Sequence, residues 1–134
     1  MESSSGRTIL LVDDDEMVRK LMSTCLKQAG YSVIEAGGGP EALSLFLQYK
    51  TGIALVVSDI QMAEMSGVDL AEQLLQLRPG LPIMFVTASG DVLPQAMRRF
   101  WLVQKPFRLH ELMRGIEASL SGLEPWRYEP VMRT

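Results

Sequence analysis

The sequence is short of the residues that would announce several chemistries. A single cysteine, Cys25, cannot close an internal disulfide or supply a thiolate metal cluster, and it falls in an apolar helical stripe where it reads as a buried, unreactive thiol. Positive charge is not in excess. With 13 basic and 16 acidic residues the formal net charge is -3, so nothing draws the chain generally to nucleic acid or anionic membrane. Apolar runs such as Ile53 to Val57 and Leu81 to Val86 are strand-sized, far below the roughly 20 residues of a membrane span. The start, Met1 to Gly6, is Ser-rich and has neither the basic nor the apolar part of a secretory signal, so residues 1–7 read as a flexible leader or linker. What is present is 134 residues, 47% of them hydrophobic and 22% charged, which suits one globular, cytoplasmic domain.

The order of elements is legible from periodicity. Thr8 to Val12 is a continuous apolar run that stops at three aspartates, the pattern of a strand buried on both faces. Val18, Leu21, Met22, Cys25, Leu26 and Ala29 then recur at helical spacing, and Gly30 stands where a helix ends. Tyr31 to Ala36 is a second strand, and Pro40 opens a second helix through Leu47. Ile53 to Val57 is the third strand, ending in Ser58 and Asp59, and Val68 to Leu77 the third helix. Leu81 to Val86 is the fourth strand. A short helix within Asp91 to Phe100, interrupted near Pro94, precedes a brief fifth strand, Trp101 to Val103. Leu109, Leu112, Met113, Ile116 and Leu120 mark the last helix, and residues 122–134 form a tail without period.

Five strands alternating with five helical segments predict an α/β fold: a doubly wound, flavodoxin-like, five-stranded parallel sheet in the order 2-1-3-4-5. Ligands bind such sheets at the strand C-termini, where the order reverses between strands 1 and 3. Those two strands end in Asp13 and Asp14 and in Asp59. Neighbouring strands lie about 4.8 Å apart, so the carboxylates converge and repel one another unless a cation neutralises them. Oxygen-only ligands favour Mg²⁺, Mn²⁺ or Ca²⁺, and a site completed by water or phosphate suits Mg²⁺. One carboxylate is then free to attack phosphorus while the others hold the ion. Thr87 and Lys105 end later elements in the same layer, where a hydroxyl and an ammonium suit phosphoryl oxygens.

The set resembles the receiver domain of two-component response regulators in four motifs: ILLVDDDE (residues 9–16), VVSDIQM (56–62), VTA (86–88) and KPF (105–107). The resemblance covers about residues 8–121. It implies that Asp13, Asp14, Asp59 and the main-chain carbonyl of Gln61 bind Mg²⁺, and that Asp59 accepts a phosphoryl group from the phosphohistidine of a histidine kinase or phosphotransfer protein. Thr87 and Lys105 would contact the phosphoryl oxygens, with a cis bond between Lys105 and Pro106. The domain would signal by changing shape, assisting only its own phosphorylation and dephosphorylation rather than turning over a substrate.

Three departures stand out. Ala63 and the stretch Met65-Ser66-Gly67 replace the family's usual Pro and Met-Asp-Gly, leaving the loop without its acidic residue. Only seventeen residues separate Thr87 from Lys105, which implies a shortened fourth helix. Leu102 occupies the position of the family's aromatic switch, with Phe100 and Trp101 displaced from it. A shortened segment with FWLVQKPF is similar to receivers fused to hybrid sensor kinases, where the kinase lies in the same natural chain.

Other readings compete. A pseudo-receiver would keep the fold as a protein-interaction module without phosphorylation. Asp13-x-Asp15 matches the nucleophile spacing of haloacid-dehalogenase-like phosphatases, although Met17 replaces the expected Thr or Val and that family resembles longer chains with a cap. A flavodoxin-type binder would want a hydroxyl-rich loop after strand 1, whereas Gly37 to Gly39 follow strand 2. Asp15 and Glu16 read as a helix cap, and His110 as a surface residue rather than a phosphotransfer histidine. Nothing after residue 121 reads as an output domain or a DNA-binding helix pair, so output is expected from a partner.

Overall fold

The computed structural model describes residues 6–88, 90 and 92–123. The apolar runs form one all-parallel sheet of β1 (Thr8–Val12), β2 (Ser32–Ala36), β3 (Ile53–Asp59), β4 (Ile83–Thr87) and β5 (Trp101–Gln104). Its order is β2-β1-β3-β4-β5, as expected. Helices α1 (Glu16–Gln28), α2 (Gly39–Tyr49) and α3 (Gly67–Leu77) carry the first three crossovers, and α4 (Leu109–Ser121) follows β5. Residues 1–5 of the expected leader and 124–134 of the expected tail lie outside the described residues.

Strand side chains alternate between faces, and each face meets its own pair of helices. Ile9, Leu11, Leu55, Val57, Met84 and Val86 pack with Met22 and Leu26 of α1 and Leu112 and Ile116 of α4. Leu10, Val12, Val56, Ile83 and Phe85 pack with Ala42 and Phe46 of α2 and Leu70 and Leu74 of α3. Because both faces are covered, the central strands β1, β3 and β4 are apolar along their length with polar residues at or near their ends, whereas the half-buried edge strand β2 carries Glu35. Among the described residues no helix is long and apolar enough to cross a membrane.

Local signals act as their chemistry requires. Asp15 caps α1, its carboxylate accepting from the Val18 N–H at 3.2 Å, and Gly122 takes the left-handed conformation after α4. Three expectations need correction. The fourth strand starts at Ile83 rather than Leu81, because Pro82 has no N–H to give a ladder. The helix expected within 91–100 is a 3-10 turn, Gln95–Met97, with residue 91 outside the described residues. The seventeen residues between Thr87 and Lys105 must also supply β5, and Pro94 enters the turn in extended conformation. Cys25 is half-buried rather than buried.

Candidate functional site

Strand pairing assembles the candidate residues at one edge. Val12 is level with Ser58, so Asp13 leaves β1 beside Asp59, the last residue of β3. Asp59 is level with Val86, one residue before Thr87, and Thr87 is level with Gln104, one residue before Lys105. Asp13, Asp59 and Thr87 are buried, while Asp14 is exposed. One carboxylate oxygen from each of Asp13, Asp14 and Asp59 lies within 4.8 Å of the other two.

Lys105 answers this negative charge. Its Nζ lies 3.1 Å from Asp13 Oδ2 and 3.5 Å from Asp59 Oδ2. Burial pulls the ammonium pKa down, but the hydrogen bond and charge of Asp13, with the charge of Asp59, outweigh it and hold the pKa above the ordinary lysine value. Burial acts the other way on Asp59: it raises the carboxyl pKa, Lys105 pulls it back, Asp13 pushes it further up, and the balance lies above the ordinary aspartate value. Asp59 is thus a carboxylate whose charge the fold does not fully compensate.

The three consecutive aspartates have different jobs. Asp13 Oδ1 accepts from the Asp15 N–H at 2.9 Å, and Asp14 Oδ2 accepts from the Ala63 N–H at 3.0 Å, tying the β3–α3 loop to the end of β1. The Asp15 carboxylate caps α1 instead of joining the cluster, an arrangement that disfavours an Asp13-x-Asp15 catalytic pair. Thr87 receives the Lys105 N–H on its main-chain oxygen at 2.7 Å, and the bond between Lys105 and Pro106 is cis. Gln61 is exposed in the loop between β3 and α3, and His110 is exposed at the start of α4.

The aromatics near β5 are engaged elsewhere. Phe100 packs edge-on against Phe85 with ring centroids 6.2 Å apart, and Trp101 Nε1 donates to the Leu123 carbonyl at 2.8 Å. Leu102 packs, half-buried, against the core on the α2–α3 side.

Sequence reasoning missed Arg19, Glu35 and Gly67. Arg19 Nη1 donates to the Asp13 carbonyl at 2.7 Å and its Nε to Glu35 Oε1 at 3.0 Å. A signal was available in SVIEA, where a charge inside an apolar strand calls for a partner. Gly67 opens α3 with its Cα against the main chain of Asp59 and Ile60.

Comparison with known proteins agrees with this geometry. The family model described as response regulator receiver domain matches residues 9–117, and the chain belongs to that family. It is 33% identical over 118 residues to the response regulator receiver protein CpdR of Brucella abortus (strain 2308), covering 85% of this chain and 97% of that protein. It is 34% identical over 136 residues to the transcriptional regulatory protein GlrR of Escherichia coli (strain K12), covering 94% of this chain but only 30% of the relative's length. A receiver domain protein from Clostridium thermocellum superposes with a TM-score of 0.80 at 24% identity, over 86% of this chain and 94% of that one, a likeness of fold.

The donor set fits the divalent ion that the family implies. It is all oxygen, which suits a hard cation. Around an octahedral ion with bonds of about 2.0–2.1 Å, neighbouring oxygens lie about 2.9 Å apart and opposite ones about 4.1 Å. The three carboxylates, with one oxygen of each within 4.8 Å of the other two, stand close enough to share one ion. Exposure of Asp14 leaves room for water ligands.

Proposed function

We propose that residues 8–121 act as a phosphoacceptor, flanked by a leader at 1–7 and a tail at 122–134, with Asp59 taking a phosphoryl group from the phosphohistidine of a histidine kinase or phosphotransfer protein. The observation that carries this is the convergence of three carboxylates within 4.8 Å of one another beside the half-buried ammonium of Lys105. An Asp59 carboxylate oxygen bonds to phosphorus as the phosphorus–nitrogen bond breaks, and that electron pair leaves with the imidazole. Mg²⁺, held by Asp13, Asp14, Asp59 and the Gln61 main-chain carbonyl, would supply positive charge toward the incoming phosphoryl oxygens. Lys105 already lies between Asp13 and Asp59 and can follow the charge onto the phosphoryl group, while Thr87, at the next strand end, offers its hydroxyl.

The signal then passes to a downstream protein. With Leu102 where the family's aromatic would stand, movement of Thr87 is read through aliphatic packing on β4 and β5. The FWLVQKPF segment favours a kinase domain in the same natural chain, and a cytoplasmic location goes with this reading. Acetyl phosphate with Mg²⁺, followed by intact-mass measurement, is expected to add one phosphate to the wild-type chain and none to Asp59→Ala. Absence of the adduct with both acetyl phosphate and a phosphorylated kinase would favour a pseudo-receiver.

A further inference from the structure

Asp13 is tied down through its main chain as well as its carboxylate. Its N–H donates to the Ala36 carbonyl on β2 at 3.2 Å. Its carbonyl accepts from Arg19 Nη1 at 2.7 Å, a short, charge-assisted bond. The same guanidinium reaches Glu35 Oε1 through Nε at 3.0 Å, and Lys20 Nζ stands 3.7 Å from that oxygen. Arg19 and Glu35 are largely withdrawn from solvent, with side chains 14% and 21% exposed. One planar cation therefore connects α1, the residue after β1 and the edge strand β2.

We propose that Arg19, anchored by Glu35, is a positioning residue for the metal-binding pair: it fixes the main chain at Asp13, from which the Asp13 and Asp14 carboxylates both depart. This rests on the metal-binding reading above. An ordinary ion pair between α1 and β2 would need only the contact to Glu35, and a lysine would serve. Here two different N–H groups of one rigid plane serve two acceptors at once, which a single ammonium on a flexible stem does not reproduce with the same geometry. Charge also explains the pairing. A cation beside Asp13 repels an incoming metal, and Glu35, which Arg19 shares with Lys20, offsets part of that charge.

The test is Mg²⁺ titration of the wild-type chain and Arg19→Lys, followed by calorimetry and by the amide shifts of residues 13–15, with metal-free melting measured alongside. Arg19→Lys keeps the charge and a partner for Glu35 but gives up the double contact. Its Mg²⁺ dissociation constant is expected to rise roughly tenfold, the usual scale for losing a group that orients a ligand, and its phosphorylation rate by acetyl phosphate to return to wild type at saturating Mg²⁺. A folded Arg19→Lys that binds Mg²⁺ as tightly as wild type overturns the proposal, whatever its melting temperature. If Arg19→Lys fails to fold, the double variant Arg19→Gln/Glu35→Gln, which leaves net charge unchanged, should show the same weakening, and wild-type affinity there overturns it equally. A wild-type chain that binds no Mg²⁺ sinks the metal-binding reading itself, an outcome distinct from equal binding by wild type and variant.

Discussion

Gly67→Ala probes how tightly the end of β3, which carries Asp59, is built into its surroundings. Gly67 is the first residue of α3, and its N–H donates to the Ile60 carbonyl at 2.7 Å. A Cβ there would run into the Asp59 carbonyl oxygen and stand 3.0 Å from both the Asp59 carbonyl carbon and Ile60 Cα. Every obstacle is backbone, so none can swing aside as a side chain would. Alanine brings an opposing gain of about 0.4–1 kcal/mol by restricting the unfolded chain. Overpacking typically costs about 1–3 kcal/mol, and the rigidity of the obstacles places this case toward the upper end. The net expectation is a loss of about 1–2 kcal/mol, which lowers Tm by about 3–10 °C for a domain of this size. Gly80→Ala is the control, since nothing lies within 4 Å of a Cβ at that position, and it should stay within about 0.5 kcal/mol of wild type. Because relief of the overlap requires the end of β3 to move, Gly67→Ala should also slow acceptance of phosphate at temperatures where it is fully folded. Circular dichroism melts and mass-based phosphorylation rates read both effects. A Gly67→Ala protein that melts with Gly80→Ala and phosphorylates at the wild-type rate would refute the steric argument.

Two further expectations concern charge. Burial raises the Asp59 carboxyl pKa despite Lys105, with Asp13 adding to the rise, so the folded state holds that proton more tightly than the unfolded chain. Its stabilising contribution is full at low pH and lost as pH rises through the raised pKa; Asp59→Asn should therefore raise Tm in metal-free buffer at neutral pH, and a lower Tm would contradict the assignment. Glu35 behaves oppositely: burial pushes its pKa up, but the Arg19 hydrogen bond and the Lys20 charge outweigh burial and lower it. That contribution is present above the ordinary glutamate range and lost as pH falls through the lowered value. The Tm gap between wild type and Glu35→Gln should accordingly shrink on acidification from pH 7 toward about pH 4, and a gap independent of pH would rule this out.

The acidic edge was legible because burial sorts residue types. A strand covered on both faces tolerates no carboxylate along its length, so the apolar runs of β1 and β3 ended where Asp13 and Asp59 stand, and right-handed crossovers placed those ends side by side. Lys105 was legible for the same reason at the end of β5. The Arg19 fork was not, because it joins α1 to β2 across a gap of 16 residues and depends on strand register, which periodicity does not reveal. The Ala63 amide on Asp14 depends on the path of a loop whose residues carry no turn signature. The 3-10 turn between β4 and β5 was masked by a run of residues that tolerate either helix or turn.

This division has a functional consequence. Asp13, Asp59, Thr87 and Lys105 are placed by strand pairing, through Val12 with Ser58, Asp59 with Val86 and Thr87 with Gln104. None of those pairings depends on how the chain travels from β4 to β5. The connection can shrink to a single turn, and Leu102 can replace an aromatic, without moving a carboxylate or the ammonium. On the proposed reading, acceptance of a phosphoryl group would rest on strand ends locked in a sheet covered on both faces, and its readout on the β4–β5 edge, so the two would be carried by separable parts of this fold.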